Sequence, residues 1–376
     1  MKILPFRAIY PNLNQVPTSN DFFDSVKFRY HEYATEDMFE TADTDAIYIY
    51  QIKNREKRKF TGLVTCTDIS DYFEGKMKKH EKTIVSNEEL QSELLHTRGA
   101  AIKPVLLTYP PVSELNKLIQ EYLDNNRKFY VIELGGEKHR FWRITEPDLI
   151  SKIQSIFQKQ IPVTYIADGH HRSASFATLH EKLKSEKTNK MLTAYFPIEE
   201  LEIKEQNRFV ADLNGLTSDA FLDKLKDLFK IKVLKKGVKP YAKLEMTMFL
   251  DNKWFQLNWR KSEIKGFAEG LVLLDVHLLN EKVLKPILGV KNIRENMRVK
   301  YIDGSKTIEE IEEIANTQPN AGNADEKKID HGGAVFCMFP VEFEDLKQVA
   351  DSGGIMPPKS TFFEPRMKNG LLVYEI

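Results

Sequence analysis

Cysteine is nearly absent from this chain: Cys66 and Cys337 are the only two in 376 residues. Only two thiols argue against a disulfide framework and for a reducing compartment, so a cytoplasmic location is expected. Long apolar runs are absent too, which excludes a spanning helix. The opening Met1-Lys2-Ile3-Leu4-Pro5-Phe6 lacks the apolar stretch and small-residue cleavage site of a signal peptide. Net charge is missing as well, because 55 basic residues balance 55 acidic ones. That removes the usual footprint of a protein that grips nucleic acid through its phosphates. The one basic run, at 53–59, has no interleaved aromatic residues on which bases could stack, and reads as a solvated hairpin tip. No helix-turn-helix pattern is recognisable. A chain of this length exceeds one hydrophobic core, so two or three subdomains are expected.

What is present is a concentrated polar turn, Tyr165-Ile166-Ala167-Asp168-Gly169-His170-His171-Arg172-Ser173. Val163, Tyr165 and Ile166 read as the end of a buried strand, and Asp168-Gly169 breaks it. A helix is expected from Ser173, with Phe176, Leu179 and Leu183 at helical spacing. The first amides of such a helix lack intrahelical partners and carry partial positive charge. Gly169 and Ser173 would let a phosphate approach, and Arg172 would add a bidentate clamp. Asp168, His170 and His171 are candidates for acid-base work.

Two further segments carry chemistry. His80-Glu81 closes Gly75-Lys76-Met77-Lys78-Lys79-His80-Glu81-Lys82-Thr83 and offers a base with an orienting partner, a pair of metal ligands, or merely a surface turn. Near the end, Met356-Pro357-Pro358-Lys359-Ser360-Thr361-Phe362-Phe363 supplies a point charge at Lys359 and hydroxyl donors at Ser360 and Thr361. The remainder reads as scaffold. Strands are expected at 46–51 and 60–66, and hairpins around Gly135-Gly136 and Asp251-Asn252. A helix is expected at 271–284, with Asp275 and His277 in structural roles. A buried strand is expected at 332–338, with Cys337 a packed thiol.

The turn Ile166-Ala167-Asp168-Gly169-His170-His171-Arg172 resembles the signature of a large bacterial and archaeal family known as domain of unknown function 1015. The Gly75–Thr83 segment and the Met356–Arg366 segment with Gly370-Leu371 resemble that family's other two signatures, in the same order. Pro5-Phe6 and His139-Arg140-Phe141-Trp142 fit it as well, whereas Asn207-Arg208 stands where the family has His-Arg. More distantly, Gly169-x-x-Arg172 is similar to the phosphate-binding turn of the ParB/sulfiredoxin superfamily, which includes free-serine kinases. Arg294-Glu295-Asn296 with Arg298 is one residue short of ParB's Glu-Asn-x-x-Arg box and reads as a charged loop.

The resemblance implies an α+β fold: mixed sheets, a ParB/sulfiredoxin-like strand-turn-helix phosphate site and additional α/β subdomains. The segments expected are 1–187 with His80-Glu81 and the central turn, 188–270 as strand-rich scaffold, and 271–376 packing the Lys359 motif back onto the site. The activity implied is a phosphotransferase or phosphatase acting on a small phosphorylated metabolite such as O-phosphoserine, or on serine. His80, Glu81, Asp168, His170 and His171 would act catalytically, and Gly169, Arg172, Ser173, Lys359, Ser360 and Thr361 would hold the phosphate. The alternative is a ParB-like nucleotide-binding regulator linked to DNA. The cofactor is open between a divalent metal such as magnesium and a nucleotide, with no residues assigned to a metal. The expected partners are a small phosphorylated metabolite or nucleotide, neither nucleic acid nor membrane, and an oligomer is open.

Overall fold

Alternating aromatic and aliphatic residues in Ile47–Lys53 make a strand, which pairs antiparallel with Lys59–Asp68 across the basic turn, from Tyr48↔Val64 to Lys53↔Lys59. This computed structural model describes residues 1–83, 85–265, 272–293, 296–317 and 333–376, with the backbone alone at 85–87. The hairpin lies within a nine-stranded mixed sheet. From one edge its strands are Met77–Lys78, Thr164–Asp168, Val105–Tyr109, Lys190–Pro197, Lys59–Asp68, Ile47–Lys53, Glu137–Ile144 and Tyr130–Leu134, with Ile3–Leu4 paired to Lys59–Asp68. Helices bury their apolar stripes here. Pro147–Gln160, with proline in its first turn, seats Phe157 4.9 Å from Tyr195 and 6.0 Å from Tyr109, centroid to centroid. Each such ring contributes about 1.5–3 kcal/mol of burial.

Two compact units result: Met1–Glu202 with Phe363–Ile376, and Ile203–Phe362. This differs from the three segments expected, for two reasons of strand pairing. Lys190–Pro197 does not begin a new subdomain; it pairs in parallel with Val105–Tyr109 and antiparallel with Lys59–Asp68. In the second unit, Ala334–Met338 inserts between Gln206–Val210 and Glu245–Leu250, so strands from both 188–270 and 271–376 share one sheet.

That second sheet is antiparallel throughout, in the order Phe229–Leu234, Lys253–Trp259, Glu245–Leu250, Ala334–Met338, Gln206–Val210 and Val299–Asp303. Asp251 and Asn252 take positive φ (50° and 57°) in the hairpin turn, as that turn type requires. Phe209, Phe249, Trp254, Ile302, Ile311, Val335 and Cys337 form one buried cluster. The helix expected at 271–284 is the α-helix Asp275–Leu279 continued by a π-helical turn, Asn280–Leu284; Leu271 lies outside the described residues, as do Arg294 and Glu295. The fold class is α+β. Among the described residues, no helix is long and apolar enough to cross a membrane.

Candidate functional site

The strand Thr164–Asp168 carries a bulge. Ile166 faces Leu107 and Asp168 faces Leu106, so Ala167 is the extra residue. A bulge re-aims the side chains that follow it, here Asp168. Gly169 then takes φ +106° and caps the helix His170–Leu183 with no side-chain bond. The helix therefore opens at His170, not Ser173, because glycine turns the chain in one residue where a turn of several was expected. Ser173 is inside the first turn: its amide donates to Gly169 O at 2.9 Å and its hydroxyl to His170 O at 2.9 Å. Fully buried, it serves the helix and is poorly placed to bind phosphate.

Arg172 folds back over this turn. A Cβ built at Gly169 would stand 2.7 Å from its Nη2, so any side chain there would push the guanidinium aside. Nη2 donates to Asp168 Oδ2 at 2.9 Å and to Pro104 O at 3.3 Å. Lys103 Nζ lies 3.9 Å from Asp168 Oδ2, and Arg366 4.0 Å from Oδ1. Arg172 and Lys103, with Arg366 at 4.0 Å, thus face one carboxylate at a helix N-terminus, a setting suited to an anion. Burial alone would raise the Asp168 pKa, but Arg172, Lys103 and Arg366 overcome it and hold the carboxyl well below its usual range. Burial, together with Arg172, pushes Lys103 down to about 8. Arg172 and Lys103 also line a cavity of about 460 Å³, whose other walls include Phe28, Leu94, Ile102, Phe176 and Met191.

The second signature meets the first at His170. The His80 amide donates to His170 Nε2 at 3.4 Å, and the two rings pack edge to face with centroids 4.4 Å apart. An accepting Nε2 leaves the ring proton on Nδ1, 3.7 Å from Glu81 Oε2. Burial drives His80 down to about 3, and burial with the neighbouring His80 drives His170 well below its ordinary value. The His170–Glu81 contact therefore joins a neutral imidazole to a carboxylate and is not an ion pair. Burial thus disfavours protonation of both rings. Glu81 is partly exposed, and the His170 Nδ1–H faces its carboxylate. His171 is partly exposed; its carbonyl accepts from the Ser175 hydroxyl, and its Nδ1 has no hydrogen-bond partner among the described residues.

The third signature divides between the units. Phe363 to Leu371 belong to the first, and Arg366 reaches Asp168 there. Lys359, Ser360 and Thr361 belong to the second. Lys359 has φ +55° and an exposed side chain, and the buried Ser360 donates its hydroxyl to Pro357 O at 2.6 Å. Arg208, fully buried, clamps this loop by donating to Pro358 O at 3.0 Å and Lys359 O at 2.8 Å. Asn207, standing where the resembled family has histidine, accepts from the Met338 amide at 3.1 Å. Arg298 is committed to Asp212. Among the described residues no group of three or more His, Cys, Asp or Glu is arranged to hold a metal. Lys103 was not expected at the site at all. Its only local signal is a lysine before Pro104 at the start of a strand.

No curated protein matches the chain significantly. Among solved structures it is similar to a free serine kinase in complex with ADP, with 14% identity, a TM-score of 0.38, and coverage of 80% of this chain and 87% of that one. It is also similar to SbnI with a C-terminal truncation from Staphylococcus aureus (13%, 0.39, 81% and 85%) and to a conserved hypothetical protein from Pyrococcus furiosus (13%, 0.38, 81% and 94%). At such identities and scores the likeness says nothing about substrate. The family of proteins of unknown function DUF1015 matches residues 6–278, well over half of the chain, and the chain belongs to that family.

Proposed function

We propose that the protein is a phosphate-binding enzyme that transfers or hydrolyses the phosphoryl group of a small metabolite, with a nucleotide as donor or acceptor. The observation that supports this most is the convergence of Arg172, Lys103 and Arg366 on Asp168 at the N-terminus of His170–Leu183. A phosphoryl group bound there would meet helix amides and fixed cations, and phosphoryl transfer needs chiefly positioning and charge neutralisation. Asp168 holds the cations in place between turnovers. The cavity beside Arg172 and Lys103 offers apolar walls to the rest of a ligand, such as a nucleoside. As the new O–P bond forms, the bond to the leaving oxygen breaks, that oxygen departs with the bonding pair beside the Arg172 and Lys103 cations, and the attacking hydroxyl or water gives its proton to Glu81, whose carboxylate lies 3.7 Å from His170 Nδ1. The turn's sequence resemblance to free-serine kinases makes serine and O-phosphoserine the first substrates to try, and carries the ParB/sulfiredoxin-like assignment of the turn.

The assay is phosphate release and nucleotide conversion with O-phosphoserine, with and without magnesium and ADP. Turnover that falls by about 10²–10⁴ in Glu81→Gln, the usual cost of a removed acid-base group, supports the reading. No turnover, with nucleotide still bound through Arg172, would favour the nucleotide-binding regulator instead.

A further inference from the structure

The cavity beside Arg172 and Lys103 holds a further cation that the phosphate site does not use. Arg98 ends the helix Val85–Arg98 and lines this cavity together with Leu94 and Leu95 of the same helix. Its Nε donates to Ala100 O at 2.7 Å and its Nη1 to Lys27 O at 3.2 Å. These bonds fix the guanidinium and leave Nη2 uncommitted among the described residues. No Asp or Glu among the described residues pairs with it; the ionisable neighbour acting on it is Tyr30, itself buried, pushed up to about 12 and so neutral. The helix end supplies only partial negative charge. Burial pulls Arg98 down to about 10, so the group is partly desolvated and still charged at neutral pH. A cation withdrawn from water is costly without a counter-charge, and in folded proteins it normally has one. Arg172 acts on Lys103, but neither of them acts on Arg98. Arg98 is therefore a second, separate cationic position on the cavity, with Phe28, Ile102 and Phe176 supplying apolar wall.

We propose that the ligand of this cavity is a phosphate ester carrying a second anionic group, phosphate or carboxylate, beyond an apolar body, and that Arg98 holds that second group. This rests on the phosphate reading above and narrows its substrate class. The ester's phosphoryl group would meet Arg172 and Lys103, and its body would lie against Phe28, Leu94, Ile102 and Phe176. The Nη2 N–H groups of Arg98 would donate to the second anion. A guanidinium already fixed by two carbonyls loses little further freedom on doing so. A ligand with a neutral far end would leave Arg98 without its counter-charge and gain nothing from it.

The test is calorimetric titration of the full chain with two matched pairs: phenyl phosphate beside 4-(carboxymethyl)phenyl phosphate, and 5′-AMP beside adenosine 3′,5′-bisphosphate. In at least one pair the compound with the second anion should bind about tenfold more tightly or better, as a hydrogen bond to a charged group provides. The pair that shows the gain tells a phosphorylated acid from a nucleotide with two phosphates. Arg98→Gln should remove the gain, and Arg98→Lys should keep part of it. The comparison within each pair uses the native chain, so it stands even if a variant fails to fold. Equal binding within both pairs, or a gain that survives Arg98→Gln, overturns the proposal and leaves the phosphate reading intact; no binding by any of the four compounds overturns both.

Discussion

Gly169 and Lys103 are the two residues on which the phosphate site most depends without either being a candidate for chemistry. Gly169→Ala should destabilise the protein by about 1–2 kcal/mol, since its φ of +106° is costly for any residue with a Cβ. It should also weaken anion binding, because the added carbon would displace the Arg172 guanidinium; urea melts and sulfate titration read the two effects separately. Lys103 gives a pH dependence. Burial and Arg172 hold its pKa at about 8, so it is charged below that pH and neutral above it. Sulfate does not titrate there. Its affinity should fall as pH rises through about 8, and Lys103→Arg should abolish the fall because guanidinium stays charged. Of these two residues the sequence exposed only the first. Gly169 lies inside a local pattern of turn residues, whereas Lys103 comes to Asp168 through the antiparallel pairing of Val105–Tyr109 with Thr164–Asp168, where Leu106 faces Asp168. Long-range register of that kind leaves no trace near residue 103.

At the scale of elements, the strand-turn-helix around Asp168 was legible in outline and displaced in detail. The helical spacing of Phe176, Leu179 and Leu183 predicts a start at Ser173, whereas the observed cap is the backbone of Gly169. With that start, His170 enters the helix and packs on His80, and both rings are held neutral by burial. An NMR imidazole titration should therefore show no ionisation of His80 or His170 between about pH 5 and 8, where unperturbed histidines change charge. A transition in that window for either ring would contradict the buried packing. In the second unit, Asp275 opens its helix while accepting from the Leu244 amide at 3.0 Å and Trp259 Nε1 at 3.2 Å, a structural role as expected. Burial raises its pKa from 3.8 to about 6. Its contribution is then greatest below about pH 4 and is lost as pH rises through 6, a change on the order of 3 kcal/mol. Asp275→Asn should remove most of that decline in chemical denaturation between pH 4 and 7; an unaltered pH profile would show that another group causes it.

For the whole molecule, the three signatures spread over the chain share a role only in part. His80 and Glu81 meet His170, and Arg366 meets Asp168, all within the unit Met1–Glu202 with Phe363–Ile376. Lys359 and Ser360 belong to the other unit, where the Arg208 guanidinium braces the loop that carries them. Domain limits were the least legible feature, because Lys190–Pro197 and Ala334–Met338 each join strands distant in sequence. The central claim is that Arg172 and Lys103 form an anion site at the start of His170–Leu183. Calorimetric titration of the native chain with sulfate at pH 7, beside Arg172→Ala and Lys103→Ala, tests it most directly. Each variant should bind more weakly by about 1.5–3 kcal/mol, the worth of a hydrogen bond to a charged group. Equal affinity in all three proteins, or no sulfate binding to the native chain, would contradict it.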